Sequence, residues 1–293
     1  MLNTHIDISI VVTLVTALLF LVLVISWVHL RNKQVMTERV SDGLAWLKSF
    51  RQLLTLIQQH RGLTNGYLCG DSGLNKRILP LQGKTTRLIR QLQLSDSWLA
   101  DNPEWQGIER HWQRLSTGFN NQTSANNLEQ HNKLITNLLY LVDDCGEAHR
   151  LYELKDQQGR SIRYLWQSLL VTAEHIGQAR AIGTGVAASG QCDSVDRIRL
   201  AYLQKAIADF VAVERAMNKT ALSNLLQVLA QEVITDRPTV SANAYFDIAT
   251  QALEEVFVSF DQAIEALQET PSGFTQQAQA PKGSGYATNP QHV

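Results

Sequence analysis

Hydrophobic positions along this chain fall at helical spacing. Leu47, Phe50, Leu54, Ile57, Arg61, Thr64 and Leu68 step by three and four, as one buried helix stripe does. Leu169, Ala173, Ile176, Arg180, Gly183 and Ala187 do the same. Each stripe therefore carries one arginine among its apolar residues. Ahead of both, Ile8 to Val28 runs without a charge, close to the roughly 20 residues that span a bilayer's hydrocarbon core.

This pattern predicts an all-α chain: a transmembrane helix over 8–28 after a short tail over 1–7, a basic juxtamembrane linker over 29–35, and an eight-helix domain over 36–269. The domain divides into two four-helix bundles, about 36–153 and 157–269. The first helix, 36–69, is continuous with the anchor unless Ser41-Asp42-Gly43 weakens it. A second, 75–95, contains Pro80 and Gly83. Asn102-Pro103 is a capping side chain before a first-turn proline and starts a third helix that stops near Gly118. Ser124 is expected to cap a fourth, with Leu134, Leu138 and Leu141 inward. The second group opens with a helix near 160–189, closed by Gly190. Asp193 or Ser194 caps the next, whose inward side is expected to carry Ile198, Ala201, Tyr202, Ile207, Phe210 and Val211. A seventh helix, 221–235, ends before Pro238, and Ser241 starts an eighth through Tyr245, Ala249, Ala252, Val256, Phe260, Ala263 and Leu267. From Thr270 the chain turns to Pro, Gly, Ser and Gln, so 270–293 is expected to be a disordered tail. Sliding Arg61 onto Arg180 also brings Ile57 onto Ile176, Leu63 onto Ile182 and Gly66 onto Gly185, matches that either a duplication or chance in helical sequence would leave.

Composition narrows the picture. At 293 residues and 44% hydrophobic, the chain can bury a substantial core. A formal net charge of -1 argues against nucleic acid as a main partner, because phosphate binding needs a clustered positive surface. A cleaved leader is disfavoured, since Asp7 stands before the apolar run with no Lys or Arg. Arg31, Lys33, Arg39 and Lys48 all follow the run, which places the domain on the cytoplasmic side of the inner (cytoplasmic) membrane as a single-pass protein. A periplasmic domain is the alternative. Cys69, Cys145 and Cys192, odd in number and far apart, form no disulfide framework.

Neither arginine can shed its charge, and burying it costs several kcal/mol unless an anion answers it. Two readings follow: an internal salt bridge to a carboxylate such as Asp143, Asp144, Glu147 or Glu174, or a small anion from outside. The flanking residues bear on the choice. Gln58-Gln59-His60-Arg61-Gly62-Leu63-Thr64-Asn65-Gly66-Tyr67-Leu68 and Glu174-His175-Ile176-Gly177-Gln178-Ala179-Arg180-Ala181-Ile182-Gly183 resemble the paired signatures of the NIT family, the bacterial nitrate- and nitrite-sensing domain. The first resembles its arginine-glycine motif followed by an aromatic-leucine pair, the second its glycine-x-x-arginine-alanine motif. The likeness extends in arrangement over roughly residues 36–268. His60 departs from it, standing where members often carry an acidic residue.

The resemblance implies an all-helical sensor, not an enzyme, that binds nitrate or nitrite between Arg61 and Arg180. Nitrate is flat and rich in acceptor oxygens, which suits the planar fork of arginine. Two such charges about 6 Å apart repel by roughly 3 kcal/mol at an effective dielectric near 20, a strain that an anion would reverse. Thr64, Asn65 and Thr184 are second-rank neighbours, and Gly62, Gly66, Gly177 and Gly183 are expected near the site, with Gly66, Gly177, Gly183 and Gly185 letting backbones approach. No cofactor or metal is expected. Gly183-Thr184-Gly185-Val186-Ala187-Ala188 matches a dinucleotide fingerprint only on paper, having no strand before it, and Gly83-Lys84-Thr85 lacks the first glycine of a phosphate loop. Output in this family normally comes from a fused module, so a separate signalling partner is expected, together with a membrane-linked homodimer. The alternative function is a structural scaffold in a membrane complex, its arginines paired internally.

Overall fold

A computed structural model describes residues 8–70, 72–95, 97–215 and 217–269. Its first element, α1 (Ile8–Leu68), is a single helix of 61 residues, about 90 Å long at 1.5 Å per residue. Two surfaces share it. Val11 to Leu30 is exposed and apolar, long and apolar enough to cross a membrane. From Val40 onward, Val40, Leu44, Leu47, Phe50, Leu54 and Ile57 form a buried stripe. The helix passes unbroken through Ser41-Asp42-Gly43. Gly43 is a close-packing point there: a Cβ would come within 2.5 Å of His149 Cβ.

Packed on α1 are α2 (Asn75–Ser95) and α5 (Ser124–Ala148), with α4 (Pro103–Gly118) against α5 and a one-turn helix, α3 (Ser97–Ala100), between α2 and α4. Trp46, Phe50, Trp98 and Trp105 fill their shared core with ring contacts. Pro80 is accommodated inside α2. Asn102 caps α4 as its sequence predicts, accepting from the Glu104 and Trp105 amides. At α5 the cap is Thr123 and not Ser124: Thr123 Oγ1 accepts from the Asn126 amide, while Ser124 Oγ donates to Asn65 Oδ1 at 2.6 Å. Leu134, Leu138 and Leu141 are fully buried.

A loop over 149–164, pinched by a bridge between Lys155 and Ser161, leads to a turn of π-helix, Leu165–Leu170, and into α6 (Val171–Ser189). The helix expected from 160 therefore begins later and underwound. Gly190 ends it at φ +68. Next come α7 (Ser194–Val213), capped by Asp193, then α8 (Thr220–Val228) running into a second π turn, Leu229–Val233, and α9 (Ala242–Glu269). These four helices pack on one another, α6 most heavily against α9. Along α7 the buried face is Leu200, Leu203, Ile207 and Phe210, so Ile198, Ala201 and Tyr202, expected inward, lie outside. Ile198 and Tyr202 satisfy the same helical spacing, and only the packing partner decides between the two faces. The described residues are helical with no strand, and α1 and α5 meet α6 where the two groups join. The terminal tails expected over 1–7 and 270–293 lie outside the described residues.

Candidate functional site

The site is built where α1 touches α6. Arg61, 1% exposed, lies on the apolar stripe of α1 because its spacing from Leu54 and Ile57 puts it there. Its guanidinium crosses to α6, donating from Nη1 to Glu174 Oε1 at 2.6 Å and from Nη2 to Glu174 Oε2 at 3.2 Å. Nη1 also donates to Asn132 Oδ1 on α5 at 2.6 Å. Glu174 accepts two further bonds, from Gln178 Nε2 at 2.8 Å and Gln58 Nε2 at 2.9 Å. Such a pair survives burial because both carboxylate oxygens and both terminal guanidinium nitrogens have partners. Glu174 is thus the carboxylate that answers Arg61.

Arg180 is answered differently. It is 7% exposed, about one and two-thirds turns along α6 from Glu174 at 3.6 residues per turn, and no carboxylate lies within salt-bridge distance among the described residues. Its Nη1 donates to Thr250 Oγ1 at 3.0 Å, and its guanidinium carbon lies 4.9 Å from the centroid of the Phe246 ring, both on α9. A hydroxyl and a ring face carry no full negative charge. Burial, and then the charge of Arg61, push the Arg180 guanidinium down to about 10, so it remains a cation at neutral pH. Glu174 opposes that depression, so Arg61 and Glu174 both lie within electrostatic reach of Arg180.

Small residues make room for this. A Cβ on Gly177 would fall 2.7 Å from Arg61 Nη2 and 2.9 Å from Gln58 Nε2. On Gly183 it would strike the Tyr245 ring at 2.5 Å, and Tyr245 donates its hydroxyl to Ala179 O at 2.8 Å. Thr184, one turn after Arg180 on the same face of α6, has a buried hydroxyl with no protein partner among the described residues. Gln58 Oε1 is likewise unpartnered. Both are polar atoms whose burial costs free energy until something bonds them.

The other expected neighbours stand apart. Thr64 turns its hydroxyl back to His60 O at 2.7 Å, as helical threonines often do, and accepts from Asn127. Asn65 faces Ser124 at the start of α5. A Cβ on Gly66 would meet only Leu74, and Gly62 and Gly185 open on empty space. Gln58, Asn132, Gln178, Tyr245, Phe246 and Thr250 were not foreseen as site residues. Gln58 and Gln178 had a signal in sequence, standing three before Arg61 and four after Glu174. Phe246 and Thr250 had none, since they reach Arg180 only through the packing of α9.

His60 belongs to a second buried polar cluster beside the first. His131 Nδ1 lies 2.7 Å from the Asn127 carbonyl, which can only accept, so His131 Nε2 is the acceptor for His60 Nδ1 at 2.8 Å. His60 Nε2 in turn accepts from Gln82 Nε2 at 3.0 Å, which also donates to Ser116 O. The chain of bonds closes with both rings neutral. Burial holds His60 down at about 4 and His131 well below its ordinary value.

A cavity of about 830 Å³ lies elsewhere, between the 154–164 loop and α9, lined by Arg160, Tyr164, Glu214, Glu255 and Leu267. Neither Arg61 nor Arg180 lines it, and it far exceeds what a four-atom anion fills.

Comparison with known proteins bears on the family and the fold. A family model described as nitrate and nitrite sensing matches residues 52–279, most of the chain and both arginine stretches. The solved structure of the NasR transcription antiterminator superposes with a TM-score of 0.60 at 17% identity, over 85% of this chain and 74% of that one. At that identity the likeness is one of fold. No curated protein matches the chain.

Proposed function

Because this chain belongs to the nitrate- and nitrite-sensing family, we propose that it binds nitrate or nitrite at the α1–α6 contact, with Arg61 and Arg180 as its cationic ligands. The observation that carries the reading is Arg180: a buried guanidinium, charged at neutral pH, with a hydroxyl and a ring face for company and no carboxylate within salt-bridge distance among the described residues. A wholly structural pair of arginines would have both charges answered internally, as Arg61 is by Glu174. The unpartnered Thr184 hydroxyl, one turn away, is a donor suited to a nitrate oxygen. Charged hydrogen bonds contribute roughly 1.5 to 3 kcal/mol each, enough for a few of them to hold a small ion.

In this reading α1 is also the output. It is continuous from the apolar run through Arg61, so an anion that alters the α1–α6 contact acts on the same rigid rod that enters the bilayer. The protein is then a single-pass sensor that signals to a separate partner, with its domain on the cytoplasmic side by the basic residues after the span. The fold shared with a transcription antiterminator leaves the nature of that partner open to proteins that act on nucleic acid.

Calorimetric titration of the full chain in detergent tests the site, with nitrate, nitrite, chloride and sulfate beside Arg61→Ala and Arg180→Ala. Nitrate or nitrite binding that is lost, by at least 30-fold, in Arg180→Ala with the helical spectrum retained is the expected result. A well-folded wild-type chain that binds neither anion overturns the reading and returns the arginines to a scaffold role.

A further inference from the structure

Glu174 occupies Arg61 as an incoming anion would. A carboxylate and nitrite are both bent, planar monoanions with two equivalent oxygens, and nitrate presents the same pair of oxygens on any edge. The two-bond contact of Glu174 with Arg61 Nη1 and Nη2 is the geometry either ion would take on that fork. The carboxylate is tethered to α6, so it competes at high effective concentration without leaving the protein. Two amide donors, Gln58 Nε2 and Gln178 Nε2, hold its oxygens in place against that fork.

Resting on the proposed anion site, we infer that Glu174 is a built-in competitor for nitrate or nitrite at Arg61, and that it sets both the affinity of the site and its preference for monovalent anions. The charge inventory gives the second half. Arg61, Arg180 and Glu174 together carry one net positive charge, which one monovalent anion neutralises and a divalent one overshoots. A buried excess charge of either sign is costly, so sulfate is rejected on charge as well as on size. The competition also supplies the movement. An anion on Arg61 displaces Glu174, and the bond that ties α1 to α6 through Arg61 is exchanged for one through the ligand.

A purely positioning role for Glu174 predicts the opposite sign, so one substitution separates the two. In the full chain in detergent, Glu174→Gln keeps the shape and removes the charge. Competition predicts that it binds nitrate or nitrite at least tenfold more tightly than wild type and acquires measurable sulfate binding. Removing one member of a buried pair is destabilising, so Glu174→Gln alone is not a sufficient test. The half-buried Gln178→Ala leaves the pair intact but loosens the hold on the carboxylate, and is expected to tighten nitrate binding two- to fivefold with an unchanged circular dichroism spectrum. Wild-type binding of nitrate together with unchanged or weaker binding in these folded variants overturns the inference and makes Glu174 a positioning residue. Absence of nitrate and nitrite binding in wild type and variants alike overturns the anion site itself, and this inference with it.

Discussion

At the scale of single residues, the buried histidines make a prediction independent of any ligand. Burial depresses His60 to about 4 and His131 well below its ordinary value, while in the unfolded chain both titrate near 6.5. The unfolded state therefore binds more protons than the folded state below about 6.5. Stability is fully present above that pH and is lost as pH falls through the window toward 4, by about 1.4 kcal/mol per pH unit for each proton taken up on unfolding. Burial also lowers His111 and His175, which act in the same direction. Urea unfolding between pH 6.5 and 5, above the range of ordinary carboxylates, is expected to show a falling midpoint, and His131→Gln to flatten the slope by about one proton. A midpoint independent of pH would mean that the buried rings take up their protons in the fold as readily as in the unfolded chain. Sequence showed Arg61 and Arg180 as buried charges because their spacing to Ile57 and Ile176 is local. It showed Glu174 only as one of four candidate partners, since choosing among carboxylates requires knowing which helices touch. His60 was visible as a departure from the family motif, but its partner lies in α5, beyond any local pattern.

Elements were legible where a periodic stripe met a capping residue. Asn102 before Pro103 starts a helix and Gly190 after Ser189 ends one, as their local chemistry dictates. Both π turns escaped notice, because an extra residue per turn shifts the stripe without altering its composition. The glycines of α6 show how far spacing goes. Gly183 and Gly185 look alike in sequence, yet one lies against Tyr245 and the other opens to solvent. Gly183→Ala forces a methyl into a rigid, fully buried ring whose hydroxyl is tied to Ala179 O, and should cost about 1 to 3 kcal/mol. Gly185→Ala meets nothing within 4 Å and gains the helix preference of alanine, about 0.5 to 1 kcal/mol. Thermal melts of the two variants should move in opposite directions. A matched pair of shifts would place α9 further from α6 than the structure has it.

The whole molecule is one long rod with a helical body mounted on its C-terminal half. What sequence could not show is how sharply the rod's two surfaces divide. Apolar residues from Val11 to Leu30 are exposed, and the first apolar side chain of α1 to pack on the core is Met36, followed by Val40. The turn at Arg61 lies 21 residues beyond Val40, roughly 30 Å along the helix at 1.5 Å per residue, so the body owes none of its core and none of its candidate site to the apolar run. Deleting residues 1–33 should therefore yield a chain that stays in solution without detergent, melts within about 3 °C of the full chain, and binds nitrate within twofold of it. In lipid bilayers, by contrast, only the full chain should remain with the vesicles, and Trp27, exposed on the apolar run, should be quenched by brominated lipid. A large loss of stability or of nitrate binding on deletion would show that the span supports the body directly. The rod would then transmit membrane state to the site as well as site occupancy to the membrane, since coupling between two sites is reciprocal.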